Sequence, residues 1–154
     1  MYLTRRREGA KGSVAMPDIE QLSHIAVDCG YQLHVDLGPG LLESVYEALL
    51  AESLRARGLR VERQKPIRIE YRDFVLEEGF RADLLVEDHL LIELKSVERM
   101  APVHGKQVLT YLRLLNLPVG LLFNFGAPTF KEGVKRIVND HKNFASSRLR
   151  VHRK

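Results

Sequence analysis

The chain has a single cysteine, Cys29, in 154 residues. It has no apolar run near the ~18 residues that a membrane span requires. One thiol cannot close an internal bridge, which excludes a disulfide-framed secreted module and fits a reducing compartment. The basic start, Arg5-Arg6-Arg7, is followed by neither an apolar stretch nor a small-residue cleavage site, so it does not read as a secretory signal. The expected location is cytoplasmic, with no membrane partner. Gly38-Pro39-Gly40 lacks the Lys-Ser/Thr that completes a phosphate-cradling loop, and no nucleophilic-serine elbow occurs. Zinc is poorly served too. Cys29 stands five residues from both His24 and His34, a spacing that does not align on a helix face, and there is no paired Cys or His motif.

What is present describes one globular domain. At 154 residues and 45% hydrophobic content, the chain can build a core without disulfides or a structural metal. The net charge of +4 is unevenly spread: residues 1–16 carry +3 and residues 139–154 carry +4, which leaves the body at −3. The expected organisation is a basic N-terminal extension at 1–16, one α/β domain at 17–138 and a basic C-terminal tail at 139–154, with Met16 a candidate alternative start. A positive charge confined to the ends is weak support for a nucleic-acid groove on the body.

Ile19, Leu22, Ile25, Ala26, Cys29 and Leu33 recur at spacings of three and four, which predicts an amphipathic helix over 19–33. Gly38-Pro39-Gly40 ends it. A second helix is predicted from just past Gly40 to about Arg57, with Leu42, Val45, Leu49 and Ser53 or Leu54 towards the core and Gly58 as its C-terminal cap. The period then changes. Ile67, Ile69 and Tyr71 alternate with Arg68 and Glu70 as in a strand that starts at Pro66. Arg72-Asp73 reads as a turn, and Glu77-Glu78-Gly79 as a further turn or a bulge. Two β-rich runs follow, 80–86 and 90–97. A third helix is expected at about 103–115 and a strand at 119–125, while 130–138 is ambiguous between helix and strand. The order predicts a mixed α/β layer fold, a sheet flanked by helices.

The two β-rich runs carry the chemistry. If Glu87-Asp88-His89 is a three-residue hairpin loop, Val86 faces Leu90 and Asp83 faces Glu93. Ala82, Leu84, Val86, Leu90, Ile92 and Leu94 then form an apolar core face. Arg81, Asp83, Leu85, Leu91, Glu93 and Lys95 share the other. A loop of two or four residues would separate the two acids. Opposed carboxylates repel unless something positive lies between them, either a lysine or a divalent cation. Taken alone, such a strand pair most often presents an ordinary solvated face.

Asp83, then Glu93-Leu94-Lys95 ten residues later, resembles the signature of the PD-(D/E)XK nuclease superfamily, with Ala82 in place of the signature's proline. Gly40-Leu41-Leu42-Glu43-Ser44-Val45-Tyr46 has the form GxxExxY. With Gly79 to Asp83, Pro102-Val103-His104, Gln107 and Tyr111, and Asn124-Phe125-Gly126, the chain from about 19 to 128 resembles the GxxExxY family, a small bacterial group within that superfamily. The resemblance implies a nuclease-like α/β core with a metal site at the sheet's edge. It implies Mg²⁺ or Mn²⁺ held by Asp83, Glu93, the Leu94 carbonyl and Glu43. Lys95 would orient or help deprotonate the attacking water and stabilise charge on the phosphate. Gln107, Tyr111, Arg81 and Tyr46 are the candidate substrate contacts, with His104 a weaker one. The expected activity is metal-dependent phosphodiester hydrolysis of DNA or RNA. The alternatives are a non-catalytic nucleic-acid-binding module and a protein-interaction domain on the same fold.

Overall fold

The computed structural model describes residues 15–140, and 149–153 by their backbone alone. The segments 1–14 and 141–148, which hold much of the charge assigned to the two ends, lie outside the described residues. Two helices come first, α1 (Ile19–Leu37) and α2 (Glu43–Ala56). Strands β1 (Val61–Tyr71), β2 (Phe74–Val86) and β3 (Leu90–Lys95) follow, then α3 (Pro102–Leu115) and β4 (Val119–Asn124). The ambiguous 130–138 segment divides into a single turn, α4 (Phe130–Gly133), and β5 (Val134–Val138). Leu149–Arg153 forms β6, so this part of the expected tail is a strand paired with β1.

The sheet has six strands in the order β5-β4-β3-β2-β1-β6, with β3 and β4 parallel and the other pairs antiparallel. One face packs on α1 and α2 through Leu22, Ala26, Leu50, Leu54, Leu84, Ile92 and Phe123. The other packs on α3 through Leu85, Leu91, Val108, Leu112 and Leu122. Helices on both faces of a mixed sheet make the α/β architecture that the element order predicts.

Local chemistry sets the boundaries. Asp18 caps α1 through a reciprocal capping box, each partner accepting at 2.8 Å: the Gln21 N–H donates to the Asp18 carboxylate and the Asp18 N–H to the Gln21 side chain. Gly58, at φ +84°, closes α2 in a Schellman arrangement: its N–H donates to the Arg55 carbonyl at 2.9 Å and the Leu59 N–H to the Leu54 carbonyl at 3.3 Å.

Two expectations are corrected. The buried face of α2 is Tyr46, Glu47, Leu50, Ala51 and Leu54, whereas Leu42, Val45 and Leu49 are exposed. The helix is turned by one residue because Tyr46 stacks on Phe125, with ring centroids 4.4 Å apart. Pro66 does not open its strand but lies inside β1, just before the Ile67–Tyr71 stretch covered by β6, where a missing N–H leaves no β6 pair unmade. Of the two readings of Glu77-Glu78-Gly79 the bulge holds: β2 runs unbroken through it, and the register with β1 shifts between Ile67 and Ile69.

Candidate active site

Strands β2 and β3 pair in the register the hairpin predicts, with Val86 opposite Leu90, Leu85 opposite Leu91 and Leu84 opposite Ile92. Pairing stops there. One step further, at Asp83 and Glu93, side chains take over the bonding. The Leu94 N–H donates to Asp83 Oδ2 at 2.9 Å, and the Asp83 N–H donates to Glu93 Oε1 at 3.2 Å. Each acid thus satisfies a backbone donor of the opposite strand where the ladder has ended. Across the sheet, Gln64 adopts φ +48°, and the β1–β2 pairs on either side of it, Arg63 with Leu84 and Lys65 with Ala82, leave Gln64 and Asp83 unpaired.

This irregularity corrects the face expected for Ala82. It joins the α3-side core, while Leu84 and Val86 join the α1/α2-side core. The Asp83–Glu93 pair lies at a fork between the two central strands of the sheet.

Burial makes the acid pair electrostatically tense. Glu93 is only 9% exposed. Burial first, and the neighbouring Asp83 charge second, push its pKa from 4.5 up to about 9. Lys95, two residues on along β3, pulls in the opposite direction without offsetting them. Glu43, at the start of α2, also has a raised pKa. Partial burial is the main cause; Asp83 adds to it, while Lys95 and the Ser96 backbone oppose it. Glu43, Asp83, Glu93 and Lys95 therefore share one electrostatic neighbourhood. Among the described residues no three His, Cys, Asp or Glu side chains converge into a ready-made metal cage.

A hard divalent cation nevertheless suits the donors present. Two adjacent carboxyl groups, one of them buried and costly to ionise, gain most from a cation between them. The N–H and C=O of one strand residue point to the same side. Because the Leu94 N–H reaches Asp83, its carbonyl faces the same fork.

The remaining expected contacts divide. Tyr111 comes to the pair: burial, then Glu93 and Asp83, raise its pKa, and its ring stacks on Phe80 at 4.0 Å. Gln107 lies one turn earlier on α3 and is exposed. His104 caps its own helix, its Nδ1 accepting from the Ala101 N–H at 3.3 Å. Arg81 turns onto Glu78 and the Gln64 carbonyl, so neither acid of the pair is its partner. Tyr46 is fully buried, which removes it as a substrate contact. Its hydroxyl donates to the Gly38 carbonyl and accepts from the Leu41 N–H, fixing the turn that leads into Glu43.

Asn124-Phe125-Gly126 is scaffold of the same kind. The Asn124 side chain accepts from the Val97 N–H at 3.0 Å and donates to the Val97 carbonyl at 2.9 Å, locking the chain that leaves Lys95. A Cβ on Gly126 would stand 2.3 Å from the Val97 carbonyl oxygen, so only glycine fits there.

Two residues absent from the sequence expectations join the site. The Gln64 Nε2 donates both to Asp83 Oδ1, at 2.9 Å, and to Glu47 Oε1, at 2.6 Å. Arg63 Nε donates to the other Glu47 oxygen at 3.2 Å. Glu47 offered no signal, because the spacing turns a different face of α2, that of Leu42, Val45 and Leu49, towards the core. Gln64 offered none, since its left-handed backbone is a tertiary effect.

A sequence model of the PD-(D/E)XK nuclease superfamily matches residues 20–137, spanning every element from α1 to β5. No curated protein and no solved structure matches the chain. No described helix is long and apolar enough to cross a membrane.

Proposed function

The chain belongs to the PD-(D/E)XK nuclease superfamily, and we propose that within it the protein is a divalent-metal-dependent nuclease of the GxxExxY group, hydrolysing phosphodiester bonds of DNA or RNA. The observation that carries this reading is the Asp83–Glu93 pair at the sheet fork, with Lys95 beside it and Glu43 approaching from α2. Asp83, Glu93 and the Leu94 carbonyl would hold Mg²⁺ or Mn²⁺, with Glu43 as an additional carboxylate. The cation, when bound, supplies Lewis-acid chemistry at the phosphate and favours ionised acids.

The protein's own groups do the rest. Lys95 orients the attacking water and meets the charge that builds on the phosphate oxygens. Tyr111 and Gln107, on one face of α3, line the approach for the nucleic-acid backbone. Asp83 and Glu93 keep their places through the Leu94 and Asp83 N–H groups, so little rearrangement precedes reaction.

The test is cleavage of single- and double-stranded DNA and RNA with Mg²⁺ or Mn²⁺. Asp83→Ala and Lys95→Ala should each lower the rate by ~100- to 1,000-fold. Equal activity in the variants would place the activity elsewhere. Salt-dependent binding that survives Asp83→Ala, with no cleavage under either metal, would instead favour a non-catalytic nucleic-acid-binding module.

A further inference from the structure

Gln64 combines two features that rarely coincide without a reason. Its backbone sits at φ +48°, a left-handed conformation costly for a residue with a long side chain. Its single amide nitrogen spans two carboxylates, Glu47 at 2.6 Å and Asp83 at 2.9 Å. The backbone irregularity explains the reach: consecutive side chains of a regular strand point to opposite faces, yet Arg63 and Gln64 both bond Glu47.

We infer that Gln64, anchored by the buried Glu47, is a positioning residue that fixes the Asp83 carboxylate for cation binding. The inference rests on the metal-site reading above and deepens it.

The chemistry favours an amide at this position. With Gln64 on Oδ1 and the Leu94 N–H on Oδ2, both Asp83 oxygens are oriented by neutral donors. A lysine or arginine in the place of Gln64 would hold the same oxygen but cancel the charge that attracts a cation. The charge of Glu47 is met separately by Arg63, so the anchor does not compete for the cation. Partners of this kind, one step behind a metal ligand, typically govern metal affinity by 10- to 100-fold.

The experiment measures Mn²⁺ binding by calorimetry and thermal stability by circular dichroism on the full chain. Gln64→Gly relieves the left-handed backbone and deletes the amide, so the midpoint should hold or rise while Mn²⁺ affinity falls ~10- to 100-fold. A merely structural glutamine would not separate the two readouts in this direction. Gln64→Lys should abolish detectable Mn²⁺ binding in a folded protein. Glu47→Gln, whose amide oxygen can still accept from Gln64, should keep affinity within a few-fold, whereas Glu47→Ala should match Gln64→Gly. If wild type binds Mn²⁺, Asp83→Ala does not, and folded Gln64→Gly binds as wild type does, the inference is overturned alone. If wild type binds no Mn²⁺, the metal-site reading falls and takes the inference with it.

Discussion

The two ends of the β2–β3 hairpin are built from the same strands on opposite principles. At the turn end, Leu84, Leu85, Val86, Leu90, Leu91 and Ile92 are all fully buried, and every side chain enters one of the two cores. There the ladder is regular, and Glu87 closes the loop with its carboxylate on the Arg60 N–H. At the open end the ladder stops, acids replace backbone partners, and two carboxyl groups are held side by side, Glu93 nearly buried and Asp83 half-buried. The first end contributes stability. The second spends some of it to hold charge where a cation can use it, as functional sites commonly do.

The largest effect expected from this contrast is a crossing of phenotypes. Leu91→Ala, at the turn end, removes a fully buried side chain beside α3 and should destabilise the fold by about 2–5 kcal/mol. Chemical denaturation would read that loss. The Mn²⁺ affinity of the folded fraction should stay within about two-fold of wild type, since independent sites act additively. A Leu91→Ala protein that folds well but fails to bind Mn²⁺ would show that the two ends are not independent.

A smaller, pH-dependent effect follows at the open end. Glu93 is held well above its ordinary pKa of 4.5, at about 9. The folded protein therefore keeps a proton that the unfolded chain releases as pH rises. Stability from this group is present below pH 4.5 and is lost as pH climbs towards 9. Metal-free wild type should melt at progressively lower temperature between pH 5 and 9, and Glu93→Gln, which cannot ionise, should flatten that slope. Saturating Mn²⁺ should raise the wild-type midpoint most at the alkaline end, with proton release that calorimetry in two buffers can count. Parallel melting profiles for wild type and Glu93→Gln would break the assignment of tension to this acid.

The two ends also differ in how far the sequence revealed them. Period-two alternation and a three-residue loop were enough to pair Leu84 with Ile92 and to bring Asp83 to Glu93, because a regular ladder is dictated by parity. Parity fails where the ladder fails. Ala82 changes faces, Gln64 turns left-handed, and Glu47 reaches in from α2, all consequences of packing between distant elements. The rotation of α2 has the same origin. Val45 and Leu49 satisfy helical spacing as well as Leu50 and Leu54 do, and the Tyr46 ring decides between them by stacking on Phe125. The fold class was legible because it needs only the order of elements. The acids and the lysine were legible through a motif, but their supports were not.

Tyr46 gives the smallest effect and the finest division between chemistry and scaffold. It belongs to the same GxxExxY run as Glu43, yet its ring lies in the core and its hydroxyl ties Gly38 to Leu41. Leu41 in turn accepts from the Ser96 hydroxyl at 2.7 Å, which joins this turn to the segment after Lys95. Tyr46→Phe keeps the stack on Phe125 and removes only the two hydroxyl bonds. Its cost should be about 1 kcal/mol, a drop of about 2–4 °C in the melting midpoint for a domain of this size. Because the hydroxyl never faces substrate, KM should be unchanged, and kcat should fall by less than about ten-fold through loosening of the Leu41–Ser96 link. A large rise in KM with an unchanged midpoint would return Tyr46 to the substrate surface and contradict its burial.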